Sequence, residues 1–184
     1  MASGRQEVRR WALEKVRAEI GALEAAGAVV SGNACSEVLM VKGEKGPVEE
    51  AGEDLLKGPD GRALSAALLR LGYAPESWLA AATWSQDGGQ IAPELFRRLL
   101  LALDPTCVIV LDEAAADVVR TAYATELAGL ARFEEAMLAP GAVVEVCGMR
   151  MINLGGFEAA LKSPHEKQVM WARLKRVPPE GSPY

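Results

Sequence analysis

Glu37-Val38-Leu39-Met40-Val41-Lys42-Gly43-Glu44-Lys45-Gly46-Pro47 is the stretch from which the fold is read. A short apolar run rich in β-branched residues breaks abruptly into a glycine-spaced turn carrying charges. That is how the first strand of an α/β sheet ends in the loop at its carboxyl edge. In open parallel sheets ligands sit at this edge, where the strand order reverses.

Working outward, Val8, Trp11, Ala12, Val16, Ile20 and Leu23 recur every three or four residues and predict a helix over 5–26, stopped by Gly27. Ser31-Gly32-Asn33 reads as a loop. Residues 43–61 hold five glycines and two prolines without apolar periodicity and read as one long loop. A helix over 62–71 follows, then a small apolar strand over 77–83 and a flexible turn at 85–89. Pro93 opens a helix with Leu95, Phe96, Leu99, Leu100 and Leu103 on one stripe. Residues 107–111, Cys-Val-Ile-Val-Leu, are apolar throughout, as a strand covered on both faces must be.

Asp112 suits the cap of a helix over 113–123. A further helix is expected over 126–138, a strand over 142–147, and residues 148–154 continuing as strand or loop. Asn153-Leu154-Gly155-Gly156 makes a glycine turn before a short helix, and Pro164 starts the last helix. The alternation predicts one three-layer α/β/α sandwich with a four-stranded, mainly parallel sheet. Residues 1–30 form its N-terminal helix, 31–177 the α/β domain and 178–184 a frayed tail.

Half of the 184 residues are apolar and 24% are charged, ordinary values for a single packed domain. No apolar run reaches the roughly 18 residues that span a bilayer, and the expectation is a cytoplasmic protein without membrane contact. Cys35, Cys107 and Cys147 are odd in number and far apart, and read as reduced, buried thiols. His165 is the single histidine and no cysteine pair has ligand spacing, so neither a metal nor a cofactor is expected. The net charge of −5 divides unevenly: residues 1–17 carry +3, residues 162–184 carry +3, and the body between them carries −11. A duplex-binding protein normally offers phosphates a broad basic face, and here only the two ends could.

Several residues suit a site. Gly43, Lys45 and Gly46, with Lys42, fit a backbone cradle for a phosphate or base, or else an ordinary turn that needs glycine. No Gly-x-x-x-x-Gly-Lys-Ser/Thr spacing occurs, which excludes a P-loop. Asn153, Gly155 and Gly156 line the same edge or make a plain tight turn. Gly61 and Arg62 fit either an approach to a DNA backbone or a helix start with a solvated arginine. Trp84, beside the 85–89 turn, fits an exposed stacking ring or a half-buried strand end, whereas Trp11, Trp78 and Trp171 read as core.

Gly43-Glu44-Lys45-Gly46-Pro47, Gly58-Pro59-Asp60-Gly61-Arg62-Ala63, the strand at 107–111 after Asp104-Pro105, and Phe157-Glu158-Ala159-Ala160-Leu161-Lys162-Ser163-Pro164 followed by Trp171 occur in this order. The pattern resembles the uracil-DNA glycosylase superfamily over about residues 36–176, most nearly its bacterial iron–sulfur and single-strand-type branches. The matching family segments are a Gly-Glu-Ala-Pro-Gly loop, a Pro-Phe-x-Gly-Arg-Ala segment, a Pro-x-Val-Ile-Val strand and a closing helix pair. The resemblance implies a pocket for a base flipped out of the stack. An acid or amide on the first loop positions water, an aromatic ring stacks on uracil, an amide on the second strand reads its edge, and a histidine stabilises the departing base.

In this sequence the stacking ring aligns with Asp60 or a close neighbour, the reading amide with an alanine of Ala80-Ala81-Ala82, and the histidine with Gly156. His165 lies one helix too late. Glu44 alone remains as a catalytic carboxylate, and the cysteine set of an iron–sulfur cluster is missing. The psi subunits of the bacterial clamp-loader assembly resemble this pattern too, with a glycosylase-like sheet, lost catalytic residues and an N-terminal docking segment. The implied function is a catalytically degenerate glycosylase-like adaptor in DNA repair or replication. Its implied partners are single-stranded or uracil-containing DNA, or a repair or replication protein held through helix 5–26. The alternative is an active uracil-DNA glycosylase with an atypical set that includes Glu44.

Overall fold

The computed structural model describes residues 2–75 and 77–179, and of residues 2–13 the backbone alone. In chain order the elements are α1 (Ala2–Ala25), β1 (Val30–Gly32), β2 (Val38–Lys42), α2 (Pro47–Glu50), α3 (Pro59–Leu71), β3 (Leu79–Ala82), α4 (Pro93–Leu103) and β4 (Cys107–Val110). There follow α5 (Glu113–Ala122), α6 (Ala124–Ala128), α7 (Phe133–Ala136), β5 (Val143–Val146), β6 (Met149–Asn153), α8 (Phe157–Ala160) and α9 (Pro164–Leu174). The α/β class expected from the sequence is the class observed.

The sheet has six strands in the order β1-β3-β2-β4-β6-β5, not four. Its central four, β3, β2, β4 and β6, run parallel, and β1 and β5 close the two edges antiparallel. Two readings change accordingly. Ser31-Gly32 belongs to an edge strand, because Val30, Ser31 and Gly32 pair with Ala81, Ala80 and Leu79. The strand expected over 142–147 is the outer arm of a hairpin, and the fourth parallel strand is β6. Cys147 and Gly148 turn that hairpin with φ of 51° and 80°, the geometry of a two-residue primed turn. Cysteine there hides a signal that asparagine would have given.

Because the central strands are covered on both faces, alternate residues fill separate cores. Leu39 and Val41 of β2 and Val108 and Val110 of β4 face α4 and α5. Val38 and Met40 with Cys107 and Ile109 face α3, α8 and α9. The end of α1 joins the first core through Leu23 and the half-buried Ile20, while Val8, Trp11 and Ala12 of the expected stripe lie outside the described side chains. Residues 180–184 of the expected tail also lie outside the described residues.

Three further expectations are corrected. The long loop over 43–61 contains a helical turn, α2, and α3 starts at Pro59 rather than Arg62, since proline suits a first helical position. The helix expected over 126–138 is two short pieces, broken where Gly129 leaves α6 and Arg132 leads into α7 in extended conformation. Of the cysteines only Cys107 is buried; Cys35 and Cys147 are exposed in turns.

Candidate functional site

The chain leaves β2 toward β3 on one side, while β4 lies on the other side of β2 and leads on to β6. The strand order therefore reverses between β2 and β4, and the turns after these strands diverge over a crevice. Lys42, the last residue of β2, points into it from an otherwise apolar strand and is 3% exposed.

A buried ammonium needs partners, because an unpaired charge out of water is costly. Lys42 Nζ donates to Asp60 Oδ2 at 2.7 Å and to Glu49 Oε2 at 2.9 Å, and pairs with Glu158 Oε2 at 3.1 Å. Helix α3 supplies Asp60, α2 supplies Glu49 and α8 supplies Glu158, so three helix starts converge on one strand end. Burial alone would lower the Lys42 pKa, but the hydrogen bonds to Asp60, Glu49 and Glu158 outweigh it and hold the ammonium above its usual range. Burial likewise pushes Glu49 upward, and the hydrogen bonds from Lys42 and the backbone N–H of Leu56 bring it below the ordinary carboxylate value. A lysine held protonated in this way is neither a nucleophile nor a base. One cation against three carboxylates leaves the cluster acidic, the wrong sign for a phosphate.

The turn after β2 spends its amides internally. Gly43 N–H donates to Asp112 Oδ2 at 2.9 Å, Glu44 N–H to the same oxygen at 3.2 Å, and Gly46 N–H to Glu49 Oε2 at 2.9 Å. Asp112 Oδ1 also accepts from Ala115 N–H at 2.8 Å, which caps α5. Asp112 thus joins the two turns across the switch point. Gly43 is required by contact, since a Cβ there would run into the backbone N–H of Ala115, whereas one at Gly46 would meet only the carboxylate of Glu158, 2.6 Å away, a side chain that can swing aside.

Glu44 is exposed and lines a cavity of about 50 Å³ together with Lys42, Asp60, Asp112, Gly156 and Phe157. Ligand pockets ordinarily run from about 300 Å³ upward, so this cavity is well below that size. Lys45 is exposed and stands 5.5 Å over the half-buried ring of Trp84. Gly61 is buried because a Cβ would overlap the Leu56 carbonyl, and Arg62 beside it is exposed. Asn153 is fully buried: its amide donates to the Leu138 carbonyl at 2.9 Å, and its oxygen accepts from Gly155 N–H at 2.8 Å. Gly155 and Gly156 have φ of 74° and 130° and carry the chain from β6 into α8. Of the expected residues, Glu44 and Gly156 line this cavity, with Gly43 and Gly46 in the adjoining turn, while Lys45, Gly61, Arg62, Trp84, Asn153 and Gly155 are not part of its lining. His165 is exposed on the first turn of α9.

Glu49 and Glu158 escape sequence reading, since acids in a polar loop and on a short helix look like solvated surface. The signal that points to them is Lys42 itself, a lysine closing an apolar strand. No group of His, Cys, Asp and Glu suited to a metal ion occurs among the described residues, and none of the described helices is long and apolar enough to cross a membrane. Neither the known protein-family models nor the curated protein sequences match this chain.

Proposed function

We propose that the protein is a catalytically degenerate, uracil-DNA glycosylase-like module that acts in the cytoplasm by contact, as an adaptor in DNA repair or replication. The observation that carries this reading is the occupation of the switch-point crevice by the chain's own charges. Asp112 and Glu49 take the loop amides that would hold an anion, and Lys42 with its three carboxylates fills the volume of a base. The positions that align with the family's stacking ring, reading amide and histidine hold Asp60, an alanine of Ala80 to Ala82 and Gly156, none of which supplies that chemistry. Partner contact is assigned to two regions: α1, whose apolar stripe continues before Leu23, and the exposed Lys45 over Trp84, where an unstacked base could lie.

An active enzyme is the second reading, favoured by one observation: Glu44 is exposed and lines the same small cavity as Gly156. Incubation with end-labelled single- and double-stranded oligonucleotides holding one uracil, followed by alkaline cleavage, separates the two. The adaptor reading expects no scission above the thymine control even at high protein excess. Scission at uracil that disappears in Glu44→Ala would overturn it.

A further inference from the structure

A second cavity, about 450 Å³, is a groove between α3 and α9 with α8 at its end. Helix α3 lines it with Pro59, Ala63 and Ala67 at four-residue spacing, so one helix face stays free of bulk over two turns. Leu161, Met170 and Trp171 form the other wall, and Lys167 is the one charged residue among the lining. Ala63, Ala67, Leu161 and Trp171 are only half-buried.

The flanks of the groove have a definite charge. Arg62 and Arg70 on α3, Lys162 after α8 and Lys167 on α9 are all exposed, and none forms an ion pair among the described residues. The Arg70 guanidinium lies 5.5 Å over the Trp171 ring, so a cation borders the apolar wall directly. Asp60 and Glu158 are turned to Lys42, which leaves Glu166 as the exposed acid on these helices. Of the four cations, Lys162 and Lys167 belong to the C-terminal stretch that carries +3, and Arg62 and Arg70 to the body that carries −11.

We infer that this groove docks an amphipathic helix of a partner protein, with large apolar anchors one turn apart and acidic residues on its flanks. From Pro59 to Ala67 a helix advances about 12 Å, two turns, which seats two such anchors. Both walls are helices whose backbone groups bond internally, so no open strand edge is offered to an extended peptide. The acidic flanks are fixed by the four cations, and the apolar anchors by the lining, in which Lys167 is the one charged side chain. The inference stands whether or not the sheet edge retains chemistry.

A phage-displayed library of peptides about 12 residues long, selected on the full chain and counter-selected on Ala67→Trp, tests it. The expected winners carry two large apolar residues three or four apart with Asp or Glu around them. As synthetic peptides they should bind at least about tenfold more weakly to the Arg70→Glu/Lys167→Glu double variant, whose melting temperature should match the parent's. Should Ala67→Trp fail to give a native circular dichroism spectrum, that double variant serves as the counter-selection instead. Winners that are basic, winners indifferent to the charge reversal, or no winners that distinguish the variants would overturn the inference. So would labelled oligothymidylate that binds the parent and is lost in both variants while no acidic peptide is enriched, since the groove would then be a nucleic-acid surface.

Discussion

The carboxylate of Asp112, at the end of β4, accepts the backbone N–H of Gly43 at 2.9 Å across the switch point and so places the chain's own anion in the turn after β2. The same carboxylate takes Glu44 N–H and caps α5. Asp112→Ala leaves three amides without their acceptor. Hydrogen bonds to a charged group contribute about 1.5–3 kcal/mol each, and water repairs part of the loss. The expected destabilisation is about 2–4 kcal/mol in urea unfolding; a midpoint equal to the parent's would contradict the bridging role.

Lys42→Met removes the sole cation from the crevice and leaves Glu49 and Asp60, 4% and 5% exposed, charged and unpaired. Breaking one partner of a buried ionic group typically costs about 3–5 kcal/mol. Glu158 is 42% exposed, and Glu158→Gln should cost less than about 1 kcal/mol because solvent screens it. Equal effects of the two substitutions on chemical denaturation would show that Lys42 is not the centre of the cluster.

The pH dependence has a definite sign. Glu49 titrates lower in the folded chain than its ordinary 4.5, so its contribution is present above that value and is lost as acid carries the pH below it. Lys42 titrates higher than its ordinary 10.5, so its contribution is complete below that value and is lost only as pH rises through the folded pKa. Stability measured against pH should be flat between these limits as far as this cluster is concerned and fall below about pH 4.5. In Glu49→Gln the acid slope should be shallower; an unchanged slope would assign the acid lability to other carboxylates.

Glycines offer a contrast. Gly61 faces the Leu56 carbonyl with no room for a Cβ, whereas Gly21, inside α1, has nothing within 4 Å. Gly61→Ala should destabilise by about 1–3 kcal/mol through forced displacement of the loop. Gly21→Ala should stabilise by about 0.5–1 kcal/mol through helix propensity. Thermal melts of both variants decide it, and a destabilised Gly21→Ala or a neutral Gly61→Ala would contradict the packing described.

The legibility of these features in the sequence follows their physics. The runs at 38–42 and 107–111 are readable because strands buried on both faces must be apolar at every position. Strand β1 is not, since three residues at an edge carry no periodicity, and the β5–β6 hairpin is masked by cysteine in place of a usual turn residue. At the site, Gly43, Glu44 and Gly46 were legible as the strand-to-loop turn and Asp112 as a helix cap. The double use of Asp112 across the crevice was not, because it joins residues 69 apart. Glu49, Asp60 and Glu158 come from three separate helix starts and share no sequence pattern; only the position of Lys42 at the end of an apolar strand calls for them.

The amides of the turn after β2 are already taken by the chain's own carboxylates, and their backbone resonances report on it directly. In a titration of the isotope-labelled full chain with uracil, and separately with inorganic phosphate, the amides of Gly43, Glu44 and Gly46 should stay in place up to millimolar ligand, because Asp112 and Glu49 already hold them. Saturable shifts of these three resonances, reporting a ligand that displaces the internal carboxylates, would contradict this and show a crevice open to ligands.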